Sequence, residues 1–179
     1  SGSSSGSSSS EAADLPTKKA SLASSFTARI TYASANMNLS IYEEGVNNVK
    51  LYTPSTSPAQ QWKFEKQSDG TYKITNVKYN QCMTVEGGSS ADKADVILAD
   101  DDGSKSQRWT VLQVSTGKYV LRPACASSTT AVLDVFGGET ANGTEVWIYT
   151  YNGTDAQHFS FDIIEEETND NVIEDKADE

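Results

Sequence analysis

The chain has 179 residues, of which 36% are hydrophobic, and its 25 acidic and 14 basic side chains give a formal net charge of −11. This charge repels nucleic-acid phosphates and anionic lipid, so neither nucleic acid nor a membrane surface is an expected partner. No apolar run approaches the roughly 18–20 residues that span a bilayer. The N-terminus lacks the pattern of an export signal, so any such signal is expected to have been removed. The length is typical of one domain with tails.

Both ends of the chain have compositions that favour solvated segments. Residues 1–25 form a Ser/Gly-rich linker and lead-in that opens with SGSSSGSSSS, a composition that can bury nothing. Residues 165–179 concentrate Glu and Asp without any period, which predicts an acidic disordered tail. The folded domain is therefore expected over residues 26–164.

A pattern of Gln, any residue and an aromatic residue recurs three times in this domain. It stands at Gln60–Trp62, Gln107–Trp109 and Gln157–Phe159, with a period of about 50 residues. Apolar–polar–apolar triplets recur in step with it, at Leu39–Ile41, Met83–Val85 and Leu133–Val135. The sequence therefore predicts three repeats, over residues 26–68, 69–115 and 116–164.

Each repeat alternates apolar and polar residues with period two between clusters of Gly, Asn, Asp and Ser. This alternation predicts four short strands per repeat and very little helix. One repeat exposes an apolar face that it cannot bury alone, whereas three repeats around an axis can share one core and close their sheet edges. We therefore expect an all-β domain of about twelve strands with pseudo-threefold symmetry.

This arrangement resembles the ricin B-type lectins and carbohydrate-binding module family 13, whose fold is the β-trefoil with three Gln-x-Trp repeats. The resemblance covers about Phe26 to Ile164 and implies carbohydrate binding. In that family each repeat, named α, β and γ in order, can carry one shallow sugar site. An Asp near the start of the repeat accepts hydrogen bonds from vicinal hydroxyls, and an aromatic residue further along stacks on the sugar ring.

The γ repeat matches this pattern best. Leu133 and Val135 share one strand face and must point inward, so Asp134 between them is predicted to point outward into solvent. The same alternation places Trp147 and Tyr149 on the outer face, and Tyr149 matches the stacking position of the family. A carboxylate and an exposed ring are the two groups that a pyranose needs. The alternative is that Asp134 is an ordinary solvated carboxylate.

The three Gln residues of the repeated motif are predicted to tie turns through their amides, while the aromatic residues of the motif fill the core. Gln157 is also expected to steady Asp134. Two departures from the family pattern leave the sugar type open, because Trp147 replaces a position that is often Gln and Ala156 replaces a position where Asn is common.

The other two repeats match the pattern less well. The β repeat has Thr84 in the Asp position, so it is not expected to bind sugar. The α repeat keeps a platform in Tyr52 but has Ser40 in place of the carboxylate. Glu43 or Glu44 is an alternative source of that carboxylate.

The remaining reactive side chains suggest no chemistry. His158 has no Ser or Cys motif nearby and is expected at the surface. The acidic run at residues 100–103 lacks the ligand spacing of an EF-hand and is interpreted as a solvated turn rather than a calcium site. Cys82 and Cys125 could either pair or stay free. No metal or cofactor is expected.

The sequence thus predicts a non-catalytic carbohydrate-binding module, since paired carboxylates across a cleft and a nucleophile with its base are both missing. It is expected to be secreted or at the cell surface, monomeric, and tethered to a larger polypeptide such as a polysaccharide-degrading enzyme or an adhesin. Its partner would be a glycan with galactose-, xylose- or arabinose-type sugars. The alternatives are a structural or protein-interaction trefoil whose sugar sites have decayed, and a hydrolase acting alone.

Overall fold

The computed structural model describes residues 15–32, 34–41 and 47–167. The first repeat contains β1 to β4, at Ser25–Tyr32, Met37–Ile41, Val49–Tyr52 and Trp62–Lys66. The second contains β5 to β8, at Tyr72–Asn76, Cys82–Val85, Val96–Ala99 and Arg108–Ser115. The third contains β9 to β12, at Lys118–Pro123, Ala131–Val135, Val146–Thr150 and Phe159–Glu167. Short 3-10 turns are the only helical elements in the described part of the chain, so the all-β prediction of about twelve strands is confirmed.

Six strands close into a barrel, to which each repeat contributes its first and last strand. β1 pairs with β4 and β12, β5 pairs with β4 and β8, and β9 pairs with β8 and β12, all antiparallel. The ring therefore returns to its starting strand, and closure removes the exposed sheet edges that an open sheet would leave. This is the barrel of a β-trefoil.

The two middle strands of each repeat form a hairpin, and the three hairpins together cap the barrel. The hairpins pair β2 with β3, β6 with β7 and β10 with β11. They contact each other through single bridges, which join Lys50 to Glu145, Asn48 to Ile97 and Asp95 to Trp147. Each hairpin is thus fixed by its neighbours as well as by the barrel.

The aromatic residues of the repeated motif fill the core, as predicted. Trp62, Trp109 and Phe159 are fully buried. The indole Nε1 of Trp62 donates to the carbonyl of Leu39 at 3.1 Å, and that of Trp109 donates to the carbonyl of Met83 at 2.9 Å. Each of these bonds ties the last strand of a repeat to the hairpin of the same repeat.

The three Gln residues of the motif tie turns, also as predicted. In each repeat the amide nitrogen donates to a carbonyl seven residues earlier, and the amide oxygen accepts from an N–H five residues earlier. The carbonyls belong to Thr53, Asp100 and Thr150, and the N–H groups belong to Ser55, Asp102 and Asn152. Each Gln is the last residue of a 3-10 turn.

The ordered chain extends beyond both expected boundaries. β12 reaches Glu167 rather than ending at Ile164, because its pairing with β1 continues to the partners Ser25 and Glu167. In the lead-in, Lys19 forms a bridge with Leu112, so this part of the predicted linker is attached to the domain. Residues 1–14 and 168–179, which carry most of the predicted linker and tail, lie outside the described residues, as do Glu43 and Glu44.

The expectation that His158 lies at the surface is wrong. Its ring is buried, with Nε2 lying 3.1 Å from the hydroxyl oxygen of Tyr151, and burial lowers its pKa from the ordinary value. Tyr151 belongs to a second apolar cluster, with Leu112, Val120 and Val132, which is separate from the main core. His158 therefore packs against a tyrosine of this second cluster, a contact that strand alternation does not reveal.

Cys82 and Cys125 are free thiols in this structure, which answers the question that their spacing left open. Burial raises the pKa of both. Within the described residues, no helix is long and apolar enough to cross a membrane.

Candidate functional site

The γ hairpin places the predicted site residues on one face. In the register of β10 and β11, Asp134 lies opposite Trp147, and Val132 lies opposite Tyr149. The alternate residues Leu133 and Ile148, also opposite each other, are fully buried in the main core. Because side chains alternate along a strand, Asp134, Trp147 and Tyr149 share the face turned away from that core.

Asp134 is on the predicted face, but the prediction that it is solvated is wrong. The residue is only 8% exposed, and its Oδ2 accepts a hydrogen bond of 2.8 Å from the indole Nε1 of Trp147. The pKa of this carboxyl is raised to about 6, mainly by burial and to a smaller extent by the charge of Asp92, while the bonds from Trp147 and from the Val135 backbone oppose the rise. The site thus contains a carboxylate that is costly to keep ionised and whose side-chain donor is the indole of Trp147.

A cavity of about 340 Å³ opens beside Asp134. Its lining includes the turn at Gly137 and Gly138 and the loop that contains Asn152 and Asp155. Both glycines have positive φ, 58° and 66°, so the turn suits glycine at both positions. Peptide groups without side chains therefore border the cavity at this turn.

Tyr32 joins this cavity from the other end of the chain. It is the last residue of β1, and its hydroxyl donates to the carbonyl of Gly138 at 3.4 Å. A Cβ added at Gly138 would lie 3.7 Å from the Tyr32 hydroxyl and 3.9 Å from the Cβ of Ala156. The closed barrel thus brings the α repeat against the γ site, and Ala156 lines the cavity where the family often has Asn.

Apart from Tyr32, the aromatic rings of the site lie outside this cavity and form a row along the hairpin. Trp147 and Tyr149 are half-buried, with ring centroids 6.4 Å apart. The ring of Phe136 lies 4.9 Å from that of Trp147 at an interplanar angle of 76°, and Phe136 is 41% exposed. Lys93, from the β repeat, places Nζ 6.0 Å from the centroid of the Trp147 ring.

Phe136 was missed in the sequence because it begins a 3-10 turn, where the strand alternation ends. A signal was available in the two glycines that follow it. They mark a tight turn, and a large apolar residue immediately before a surface turn has little opportunity to be buried.

Gln157 is buried, and it affects the site indirectly, through the backbone of a neighbouring loop. Among the described residues its hydrogen bonds go to the backbone of Thr150, at 3.0 Å, and of Asn152, at 2.7 Å, and not to Asp134. It therefore fixes the loop that carries Asn152 into the wall of the cavity, rather than steadying the carboxylate.

The α repeat has a corresponding cavity of about 200 Å³ that is lined by Tyr52 and Ser40. Tyr52 is exposed, but Ser40 is buried and its hydroxyl donates to the carbonyl of Ile41 at 3.3 Å. The β repeat has neither a carboxylate nor a stacking ring at these positions. Thr84 stands in the Asp position and its hydroxyl donates to the carbonyl of Cys82 at 2.9 Å, while Ala99 stands in the stacking position. Asp134 therefore has no acidic counterpart at these positions in the other two repeats.

A larger cavity of about 520 Å³ lies beside β1 and β12. Its one Arg side chain, Arg29, forms an ion pair of 2.9 Å with Asp162 and donates to the carbonyl of Ser55 at 3.2 Å. The residues that line it include no aromatic ring. It therefore lacks the stacking surface that a sugar site of this family would use.

Each carboxylate of the acidic run at residues 100–103 has a hydrogen-bond or ion-pair partner within this chain. Asp101 pairs with Lys73 at 3.0 Å, Asp100 accepts from the Gln81 amide at 3.0 Å, and Asp102 accepts from the N–H of Ser104 at 2.9 Å. In the part of the chain that the structure describes, no cluster of three or more His, Cys, Asp or Glu side chains could hold a metal ion.

Comparison with known proteins is consistent with this geometry. The model of the family described as ricin-type β-trefoil lectin domain-like matches residues 21–99, 58–149 and 105–178, which overlap along the whole domain. No curated protein matches the sequence.

Several solved structures share the fold. A designed 3-fold symmetric protein, ThreeFoil, is 26% identical, with a TM-score of 0.71 over 76% of this chain and 97% of its own. The ricin B-like lectin of Macrolepiota procera, solved in complex with lactose, is 18% identical, with a TM-score of 0.70 over 80% of this chain and 99% of its own. An exo-β-1,3-galactanase from Clostridium thermocellum is 20% identical, with a TM-score of 0.71 over 78% of this chain but only 30% of the enzyme. The matched repeats and the closed barrel together show that this chain belongs to the ricin-type β-trefoil lectin domain-like family, whose fold suggests carbohydrate binding.

Proposed function

We propose that this protein is a non-catalytic carbohydrate-binding module whose principal sugar site is the γ site, formed by Asp134, the cavity that Asp134 and the loop at Asn152 line, and the ring of Tyr149 outside that cavity. The observation that carries the proposal is the Asp134 carboxylate. It is held by Trp147 beside an open cavity of about 340 Å³ and next to half-buried aromatic rings.

The chemistry of these groups suits a sugar. The hydroxyls of a pyranose need acceptors, and a carboxylate accepts several hydrogen bonds. The peptide groups of Gly137 and Gly138 and the side chain of Asp155 border the same cavity and add donors and acceptors. The apolar C–H face of the sugar would lie on the ring of Tyr149. Of the five residues that the sequence suggested, Gln157 supports the site through the loop, and Tyr52 belongs to a separate and weaker α site.

Two solved structures with this fold suggest which sugars to test first and in what setting the module acts. The Macrolepiota procera lectin was solved with lactose, which favours galactose-type sugars as first candidates, with xylose and arabinose types as the others. The galactanase contains a similar domain as 30% of its chain, which favours a module that acts while tethered to a larger secreted or cell-surface protein.

One shallow site buries little of its ligand. We therefore expect a modest affinity, with Kd on the order of 0.1–1 mM or about 4–5.5 kcal/mol. Useful binding at that affinity would need tethering or avidity.

The test is a glycan array with the wild type, Asp134→Asn and Thr84→Ala. Asp134→Asn keeps the shape of the side chain but removes its charge, so binding should fall at least tenfold while the circular dichroism spectrum is unchanged. Thr84→Ala changes the corresponding position of the β repeat and should leave binding intact. Retained binding by a folded Asp134→Asn protein would contradict the γ site.

A protein-interaction trefoil is the second candidate, because Ser40 and Thr84 stand in the Asp position of the other two repeats. Failure of the wild-type protein to bind any glycan on the array would favour it.

A further inference from the structure

The proposed site uses the ring of Tyr149 for stacking and the indole N–H of Trp147 to hold Asp134, and it gives no role to Phe136 or to the ring face of Trp147. We propose that Phe136 and Trp147 form a second sugar subsite beside the Asp134 cavity, so that the γ site binds a neutral oligosaccharide of at least two rings rather than a single terminal sugar. This inference rests on the proposed function, since it extends the same site.

The three rings form a surface longer than one sugar. Tyr149 and Trp147 are two residues apart on β11, a step of about 6.7 Å along a strand. Phe136 continues the row on the far side of Trp147, with its ring centroid 4.9 Å away. One pyranose on Tyr149 would leave the remainder of this surface uncovered.

Phe136 is presented by a fixed backbone. Its N–H donates to the carbonyl of Glu145 at 2.9 Å, and its own carbonyl accepts from the N–H of Glu139 at 3.1 Å. The side chain is nevertheless 41% exposed. An exposed large ring on an ordered turn, packed edge-on against a second ring, is the kind of apolar surface that sugars and other partners recognise.

The charges around the site favour a neutral ligand. Asp134 and Asp155 line the cavity, and Asp92 is close enough to raise the pKa of Asp134. Lys93 contributes an ammonium group over Trp147, but at 6.0 Å from the ring centroid it lies at the outer limit of a cation–π contact, and the side chain is exposed. The carboxylates would repel uronic or sialic acids, whereas a neutral sugar could displace Lys93 from the ring at little cost.

Trp147 supplies an intrinsic reporter for the test. The other two tryptophans, Trp62 and Trp109, are 0% exposed, so a ligand on the hairpin should protect Trp147 selectively from acrylamide quenching. Titrations would compare galactose with lactose, xylose with xylotriose, and arabinose with arabinotriose, for the wild type, Phe136→Ala and Phe136→Leu. Val77→Ala, which shortens an exposed apolar side chain in another repeat, is the matched control.

The wild type should bind the oligosaccharide of the preferred sugar about fivefold more tightly than the monosaccharide, the size expected of one aromatic contact. Phe136→Ala and Phe136→Leu should abolish that difference and leave monosaccharide affinity unchanged, while Val77→Ala changes neither. An oligosaccharide preference that survives in Phe136→Ala, or an equal loss for both ligands, would overturn the second subsite alone. If the wild type binds none of these sugars, the proposed function fails and the subsite fails with it.

Discussion

Trp147 and Asp134 are direct cross-strand neighbours on the γ hairpin, and the indole Nε1 donates to the carboxylate Oδ2 over 2.8 Å. An indole N–H can only donate. Trp147 is therefore always the donor and Asp134 always the acceptor, and the bond orients the acidic side chain. In the family this position is often Gln. The substitution therefore replaces a flexible amide with a rigid donor and brings a large ring to the edge of the cavity.

Trp147→Phe should separate these two roles, because it removes the N–H and keeps an aromatic ring. Loss of a hydrogen bond to a charged group corresponds to about 1.5–3 kcal/mol, so we expect sugar affinity to fall roughly tenfold or more. The pKa of Asp134 should rise above about 6, because the lost bond lowers it in the wild type. NMR titration of the Asp134 carboxyl carbon and calorimetry of sugar binding measure the two effects.

The double variant Trp147→Phe with Asp134→Asn tests whether the effects are coupled. If the indole acts through the carboxylate, adding Trp147→Phe to Asp134→Asn should weaken binding much less than it does in the wild type. An unchanged pKa of Asp134 in Trp147→Phe would show that the bond does not orient the acid in solution.

The buried carboxyl makes stability depend on pH in an unusual direction. Its folded pKa of about 6 lies above the ordinary value of 3.8, so the folded state binds the proton more tightly than the unfolded state. The resulting stabilisation is fully present below about pH 4 and is lost as the pH rises through about 6. In Asp134→Asn this loss should be absent, so the variant should gain about 2–3 kcal/mol relative to the wild type between pH 4 and pH 7.5.

Urea unfolding of both proteins at several pH values measures this difference. Any contribution from His158, whose pKa is lowered by burial, is common to both proteins and cancels in the comparison. Parallel pH profiles for the two proteins would mean that Asp134 is not buried in the way the structure shows.

Sugar binding should change with pH in the opposite direction. The ionised carboxylate is a strong acceptor at both oxygens, whereas protonation turns one oxygen into a donor, so we expect affinity to be full above about pH 7 and to fall several-fold by pH 5, as Asp134 takes up its proton. Isothermal calorimetry across this range should show the fall in the wild type. Asp134→Asn should bind weakly and independently of pH, and a wild-type profile that is equally flat would refute the role given to the carboxylate.

The repeated motif predicted the fold well because its residues act locally. Each Gln amide bonds backbone groups five and seven residues earlier in its own repeat, and the tryptophan residues reach the hairpin of the same repeat, so spacing along the chain carries this information. The site was predicted less well, because its surroundings come from distant residues. Alternation along β10 identified the face of Asp134, but not the indole that covers it, and Tyr32 reaches the cavity only through closure of the barrel.

Gln157 and Gln107 offer a matched test of whether a structural residue also supports the site. Both are fully buried, and each bonds the backbone at two points of its own loop. Replacing either with Ala leaves buried backbone groups without their partners, so each variant should lose about 2–4 kcal/mol of unfolding free energy. Only the loop held by Gln157 carries Asn152 into the wall of the cavity.

The two variants should therefore differ in sugar binding, although they resemble each other in stability. Gln157→Ala should bind several-fold more weakly at a temperature where it is fully folded, and Gln107→Ala should bind like the wild type. Thermal unfolding by circular dichroism establishes the folded range, and glycan titration within that range gives the comparison. Equal affinity in both variants would mean that the Asn152 loop contributes nothing to binding, and that recognition depends on Asp134 and the aromatic row alone.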